Sequence, residues 1–119
     1  MSSRPEEMRD RTKAFALRII RLFRSLPYRT DTQVLGKQLL RCGTSVAANY
    51  RAVYRARSKA ELIARMGIVV EEADETILWL ELLTESGIIS PGKTEELLKE
   101  ARQLAAIFTA SQQTAKRAA

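Results

Sequence analysis

Residues 38–83 read QLLRCGTSVAANYRAVYRARSKAELIARMGIVVEEADETILWLELL. Apolar residues recur here at helical spacing, in two runs. In the first, Leu39, Cys42, Val46 and Val53 continue a stripe that begins at Leu35. In the second, Leu62, Met66, Val69, Ala73, Ile77 and Leu80 form the stripe. The runs meet at Arg57-Ser58, where Ser58-Lys59-Ala60-Glu61 has the form of a capping box, with a Ser cap and a Glu three residues on. Charge reverses at the same point. Residues 30–57 hold five basic residues and one acidic, and residues 58–86 hold two basic and seven acidic. The junction is so tight that the two helices either turn sharply there or run on almost continuously.

Two further helices flank this pair. Ser3-Arg4-Pro5-Glu6 is a second capping box, and Met8, Phe15, Ile19, Leu22 and Leu26 follow it on one face until Pro27 ends the run. Thr30-Asp31-Thr32-Gln33 opens the next helix through an Asp31 cap or a Thr30/Gln33 box. Gly36 and Gly43 lie inside that helix at about 1 kcal/mol each against alanine, which points to close helix approach. Gly87 stands where a helix C-terminal glycine is expected. Ser90-Pro91 then places a cap before a first-turn proline. The last helix carries Leu97, Ala101, Leu104 and Phe108, and its tail, SQQTAKRAA, is expected to fray. Helix bounds of about 4–26, 31–57, 58–86 and 91–115 follow. No segment alternates like a strand. Short connections make neighbours antiparallel, so the chain is read as a single all-α domain over 1–119, an up-down-up-down four-helix bundle.

At 119 residues, 45% hydrophobic and 29% charged, the chain has the length and composition of one globular domain. Its single cysteine, Cys42, cannot close an internal disulfide and is read as a small buried hydrophobe. No apolar run approaches the roughly 18 residues of a membrane span. The first residues lack the apolar core of a signal peptide, and a cytoplasmic location is expected. There is no histidine, which removes the usual general base and the usual metal ligand. Phosphate-loop, dinucleotide and Cys/His motifs are missing too. The chain is therefore read as a non-enzyme without cofactor or metal.

A net charge of +6 suits a polyanion partner, though charge also serves solubility. On a wheel of about 100° per residue, Lys37, Arg41, Arg51 and Arg55 lie opposite the apolar stripe of the second helix. Arg11, Arg18 and Arg21 share a flank of the first, with Lys13 and Arg24 further round. Two successive helices thus offer a basic face able to contact phosphates with little sequence reading. The bland alternative is a solvated face. Tyr28, Tyr50 and Tyr54 either stack on bases or cover core and interface. The third helix is apolar on more than one side. Ile68, Trp79 and Leu82, with Ala64, mark a second face, and Glu72 is grouped with them as an oligomer contact. Such a helix is expected to be buried against something further, here a second copy of the chain. Its carboxylates Glu61, Glu71, Glu72, Glu75 and Glu81 face basic helices of this chain or a neighbour, or are solvated. Contact between opposite faces is heterologous and closes into a ring where the rotation permits. Asn49, beside Ser45, is read as a polar tie between helices or a helix-bending contact, and Ser58 as a cap.

The central stretch resembles the bacterial four-helix-bundle family named for the 23S rRNA intervening-sequence protein. The resemblance lies in Gln38-Leu39-Leu40-Arg41, Thr44-Ser45-Val46 with Ala48-Asn49-Tyr50-Arg51, Arg55-Ala56-Arg57-Ser58-Lys59, and Glu72-Ala73-Asp74-Glu75-Thr76 with Trp79-Leu80-Glu81-Leu82-Leu83. Ala52 and Glu71 depart from the family's usual Glu and Lys. The resemblance implies a non-enzymatic bundle, assembly as a ring-shaped homopentamer, and, in one branch, an accessory role in diversity-generating retroelements. That branch binds RNA or DNA and partners a reverse transcriptase. A homo-oligomeric interaction scaffold without nucleic acid is the alternative.

Overall fold

The structure, a computed structural model, describes residues 4–118. Four helices follow one another: α1 (Pro5–Arg24), α2 (Thr30–Tyr54), α3 (Lys59–Glu85) and α4 (Pro91–Arg117). Sequential helices pack side by side: α1 on α2, α2 on α3, and α3 on α4. A much thinner α1–α4 seam closes the bundle, and across the diagonal the Tyr50 ring of α2 meets Phe108 of α4. A 27-residue helix spans about 40 Å at 1.5 Å per residue, which accounts for most of the 47 Å long axis.

The expected stripes form the core. Phe15, Ile19, Leu39, Val46, Val69, Leu80, Leu104 and Phe108 are all but inaccessible. Four threonines join them without motif warning: Thr12, Thr32, Thr76 and Thr94. Local hydrogen bonds make their burial tolerable. The Thr12 hydroxyl donates to the Arg9 carbonyl at 3.0 Å and that of Thr76 to the Glu72 carbonyl at 2.7 Å. Thr94 shares a 2.8 Å hydrogen bond with Thr84.

Gly36 and Gly43 set the α1–α2 distance. A Cβ on Gly43 would stand 2.9 Å from two Ile19 side-chain carbons, and one on Gly36 2.8 Å from Leu26 Cδ1. Gly87 adopts φ +83, a left-handed conformation that glycine takes at little cost. It ends α3, donating to the Thr84 carbonyl at 3.1 Å.

Several local expectations need correction. The α2–α3 junction turns sharply: α2 ends at Tyr54, Arg55 is its C-terminal cap, and the Ala56 N–H returns to the Val53 carbonyl at 3.0 Å. Ser58 is a cap as expected, its hydroxyl accepting the Glu61 N–H at 3.1 Å. Neither proposed cap forms at α2. Arg29 occupies that position with no side-chain cap, while the Asp31 carboxylate takes the adjacent Thr32 N–H at 2.7 Å. Arg4 stands at the α1 cap position, and Ser3, the proposed cap, lies outside the described residues. The α4 tail does not fray but stays helical to Arg117. Gln112 explains part of this: its amide nitrogen donates to the Ile63 carbonyl at 3.3 Å, in space left by Gly67.

Candidate nucleic-acid interface

The basic residues predicted for the α1–α2 face separate into two groups. Arg21, Lys37, Arg51 and Arg55 are exposed, and Arg18 is half-buried. Arg11 and Arg41 are committed elsewhere. The Arg11 guanidinium grips both Glu100 carboxylate oxygens, at 2.7 and 2.8 Å, and donates to the Gln103 side-chain amide oxygen at 2.8 Å. It is only 23% exposed. The hydrogen bond to Glu100 raises its pKa further. Arg11 is thus the clasp of the α1–α4 seam and not a phosphate contact. Arg41 donates to Glu75 at 2.9 Å and Glu72 at 3.3 Å. Those carboxylates from α3 offset its charge and interrupt the basic stripe midway along α2.

Two depressions lie along the remaining basic surface. The larger, of about 500 Å³, runs between α1 and α2 and is lined by Arg9, Asp10, Lys13, Ala47, Ala48 and Arg51. Its form follows from the side chains. The floor is two methyl groups, so the long cations of α1 and α2 stand above it as rims. Asp10 lies 3.8 Å from Arg9, and three cations outweigh it. The Arg9 guanidinium also sits over the Tyr54 ring, 4.9 Å from its centre, a cation–π contact that orients it. The second depression, at the α1–α2 turn, is lined by Tyr28, Arg29, Gln33, Val34 and Lys37. Tyr28 is 94% exposed. The three tyrosines therefore diverge: Tyr28 is free to stack, Tyr54 is partly so, and Tyr50 is buried against Phe108 with ring centres 5.4 Å apart.

Sequence reasoning missed Arg9 and placed Lys13 further round α1 than the flank it favoured. The signal was present: the two are i,i+4 neighbours, and the facing Ala47-Ala48 pair leaves space between the helices.

On α3 the predicted oligomer face changes in composition. Glu72 belongs to the Arg41 cluster within the chain. Trp79 is not an exposed anchor but packs partly buried on the core, its indole N–H inaccessible and without a partner among the described residues. Ile68 is half-buried, while Leu82 and the unpredicted Leu78 are exposed. Glu71 and Asp74 lie exposed one to two turns earlier on the same helix. On the α4 side, Glu81 pairs with Arg102 at 3.2 Å. Asn49 ties no helices together. Its amide donates to Ser45, one turn earlier on α2, at the carbonyl (2.9 Å) and hydroxyl (2.8 Å). Cys42 is buried, and burial pushes its thiol pKa up, against a nucleophilic role. Among the described residues no cluster of three metal-ligating side chains forms, and no helix is long and apolar enough to cross a membrane.

Comparison with known proteins supplies a context for this surface. A family model described as 23S rRNA-intervening sequence protein matches residues 6–110. A crystal structure from Bacteroides thetaiotaomicron, of a protein of unknown function from the S23 ribosomal protein family, superposes with a TM-score of 0.85 at 31% identity. The match covers 92% of this chain and 97% of that one. Curated proteins give no match.

Proposed function

The chain belongs to the 23S rRNA-intervening sequence protein family, and we propose that it acts as a non-enzymatic, oligomeric nucleic-acid-binding protein. The observation that carries this reading is the α1–α2 groove, where Arg9, Lys13 and Arg51 converge above a small-residue floor. Three cations on two rigid helices suit a phosphodiester backbone and read no base. The Lys37 and Tyr28 depression extends the same surface. In its narrower form, drawn from the family resemblance alone, the protein is an accessory factor of a reverse transcriptase in a diversity-generating retroelement and co-purifies with that enzyme.

Binding to labelled RNA and DNA over a salt series tests the reading. Affinity is expected to fall steeply with salt. The combined Lys13→Gln and Arg51→Gln substitution should flatten the log–log salt slope by about 0.7 per lost contact on a single strand. Unchanged affinity and slope in the double variant would remove the groove from the reading. Arg41 is a poor target because its loss frees Glu72 and Glu75 and changes two surfaces together.

The second reading, a homo-oligomeric scaffold that binds no nucleic acid, draws on the exposed Leu78 and Leu82. It predicts no salt-dependent binding to either nucleic acid. The proposed assembly, a ring-shaped homopentamer by family resemblance, is common to both readings.

A further inference from the structure

We infer that the end of the bundle beside the basic groove holds a pocket for an unpaired nucleobase, so that the protein takes nucleic acid through unpaired nucleotides in preference to plain duplex. The inference rests on the nucleic-acid reading above and specifies its ligand. The pocket, about 400 Å³, gathers residues from all four helices, with Glu6, Tyr50, Tyr54, Leu62, Met66 and Ser111 among its walls. Its size falls within the range of about 300–1,000 Å³ usual for small-ligand sites.

Three observations point to a base. First, Tyr50 is 4% exposed, yet its hydroxyl makes no hydrogen bond among the described residues. The ring is buried, but the hydroxyl oxygen is not sealed in the core and keeps access at the pocket wall. Burial raises its pKa, and Glu6 and Tyr54, both pocket residues, add to the rise. Tyr50 itself lines the pocket, which puts its hydroxyl within reach of a ligand's hydrogen-bonding edge. Second, Tyr54 is half-exposed and offers a ring for stacking, which every base accepts whatever its sequence. Third, the pocket adjoins the groove through one contact: Arg9, which lines the groove, sits on the Tyr54 ring. A nucleotide placed there sets its phosphate among Arg9, Lys13 and Arg51 and its base beyond Tyr54. Glu6 repels a phosphate from the pocket but can accept from a base amino or imino group. Bases stacked inside a duplex cannot enter.

Fluorescence anisotropy tests this with three labelled DNAs: an oligothymidylate, an abasic strand of equal length, and a blunt duplex. The oligothymidylate is expected to bind about fivefold or more tighter than the abasic strand. Tyr54→Ala should abolish that difference, read as the ratio of the two affinities because loss of the ring also releases Arg9 and weakens both strands alike. Tyr50→Phe, which keeps the ring against Phe108, should reduce the difference without altering the salt slope. Equal binding of base-bearing and abasic strands, or a preference that survives both substitutions, overturns the pocket and leaves the phosphate groove standing. Absence of salt-dependent binding to all three DNAs, and to an oligouridylate, overturns the nucleic-acid reading and the pocket with it.

Discussion

At Gly43 a single hydrogen atom sets how close two helices come. Ile19, fully buried and β-branched, leaves no slack for a methyl group there. Gly43→Ala is expected to gain about 1 kcal/mol of helix propensity and to lose more to overpacking, typically about 1–3 kcal/mol. Gly36→Ala meets the end of Leu26 and, less closely, the edge of the Phe23 ring, both half-buried side chains near the close of α1, and should be tolerated better. Urea denaturation of the two variants checks the order, and a Gly43→Ala protein as stable as the parent would show that Ile19 can yield. The arginines teach a related lesson. Arg11, Arg41 and Arg51 are the same residue type on the same pair of helices, with three different fates. Helical phase separates outward from inward positions but cannot see a carboxylate supplied from elsewhere. Glu72 and Glu75 lie 31 and 34 residues from Arg41, and Glu100 lies 89 residues from Arg11.

Helix by helix, the apolar stripes were legible because core burial repeats at the helical period, and nearly every stripe residue is buried or half-buried. The ends were legible only where one residue type has little alternative. Gly87 takes its left-handed conformation and Ser58 caps α3, a contribution of about 1 kcal/mol. At α2 the Asp31 carboxylate preferred the adjacent Thr32 N–H, a competition that local sequence does not resolve. The α4 tail looked too polar to hold, yet Gln112 finds a carbonyl on α3. The α1–α4 seam is the element contact most dependent on one side chain. Arg11→Ala leaves the mostly buried Glu100 carboxylate without its guanidinium and should cost about 1–3 kcal/mol. A double-mutant cycle with Glu100→Gln measures the coupling, and additive effects would show that apolar contacts alone close the seam.

For the whole molecule, the charge reversal at Arg57-Ser58 becomes a separation of surfaces. The basic groove lies between α1 and α2, and the exposed Leu78 and Leu82 and several carboxylates belong to α3. If the α3 face meets another copy, Leu78→Glu with Leu82→Glu should yield monomers by light scattering at micromolar concentration, with helical content by circular dichroism unchanged. An assembly of unaltered mass in that variant would place the interface elsewhere. By itself the sequence determined the four helices, their antiparallel order, the core stripes and the outward placement of most of the basic residues. These all follow from short-range periodicity and from connections too short to permit another order. Tertiary structure alone decided which cations remain available, that Arg9 and Lys13 join Arg51 over Ala47 and Ala48, and that Tyr50 is buried beside a pocket. Each of those depends on distances between helices, and packing sets those distances through side chains far apart in the chain.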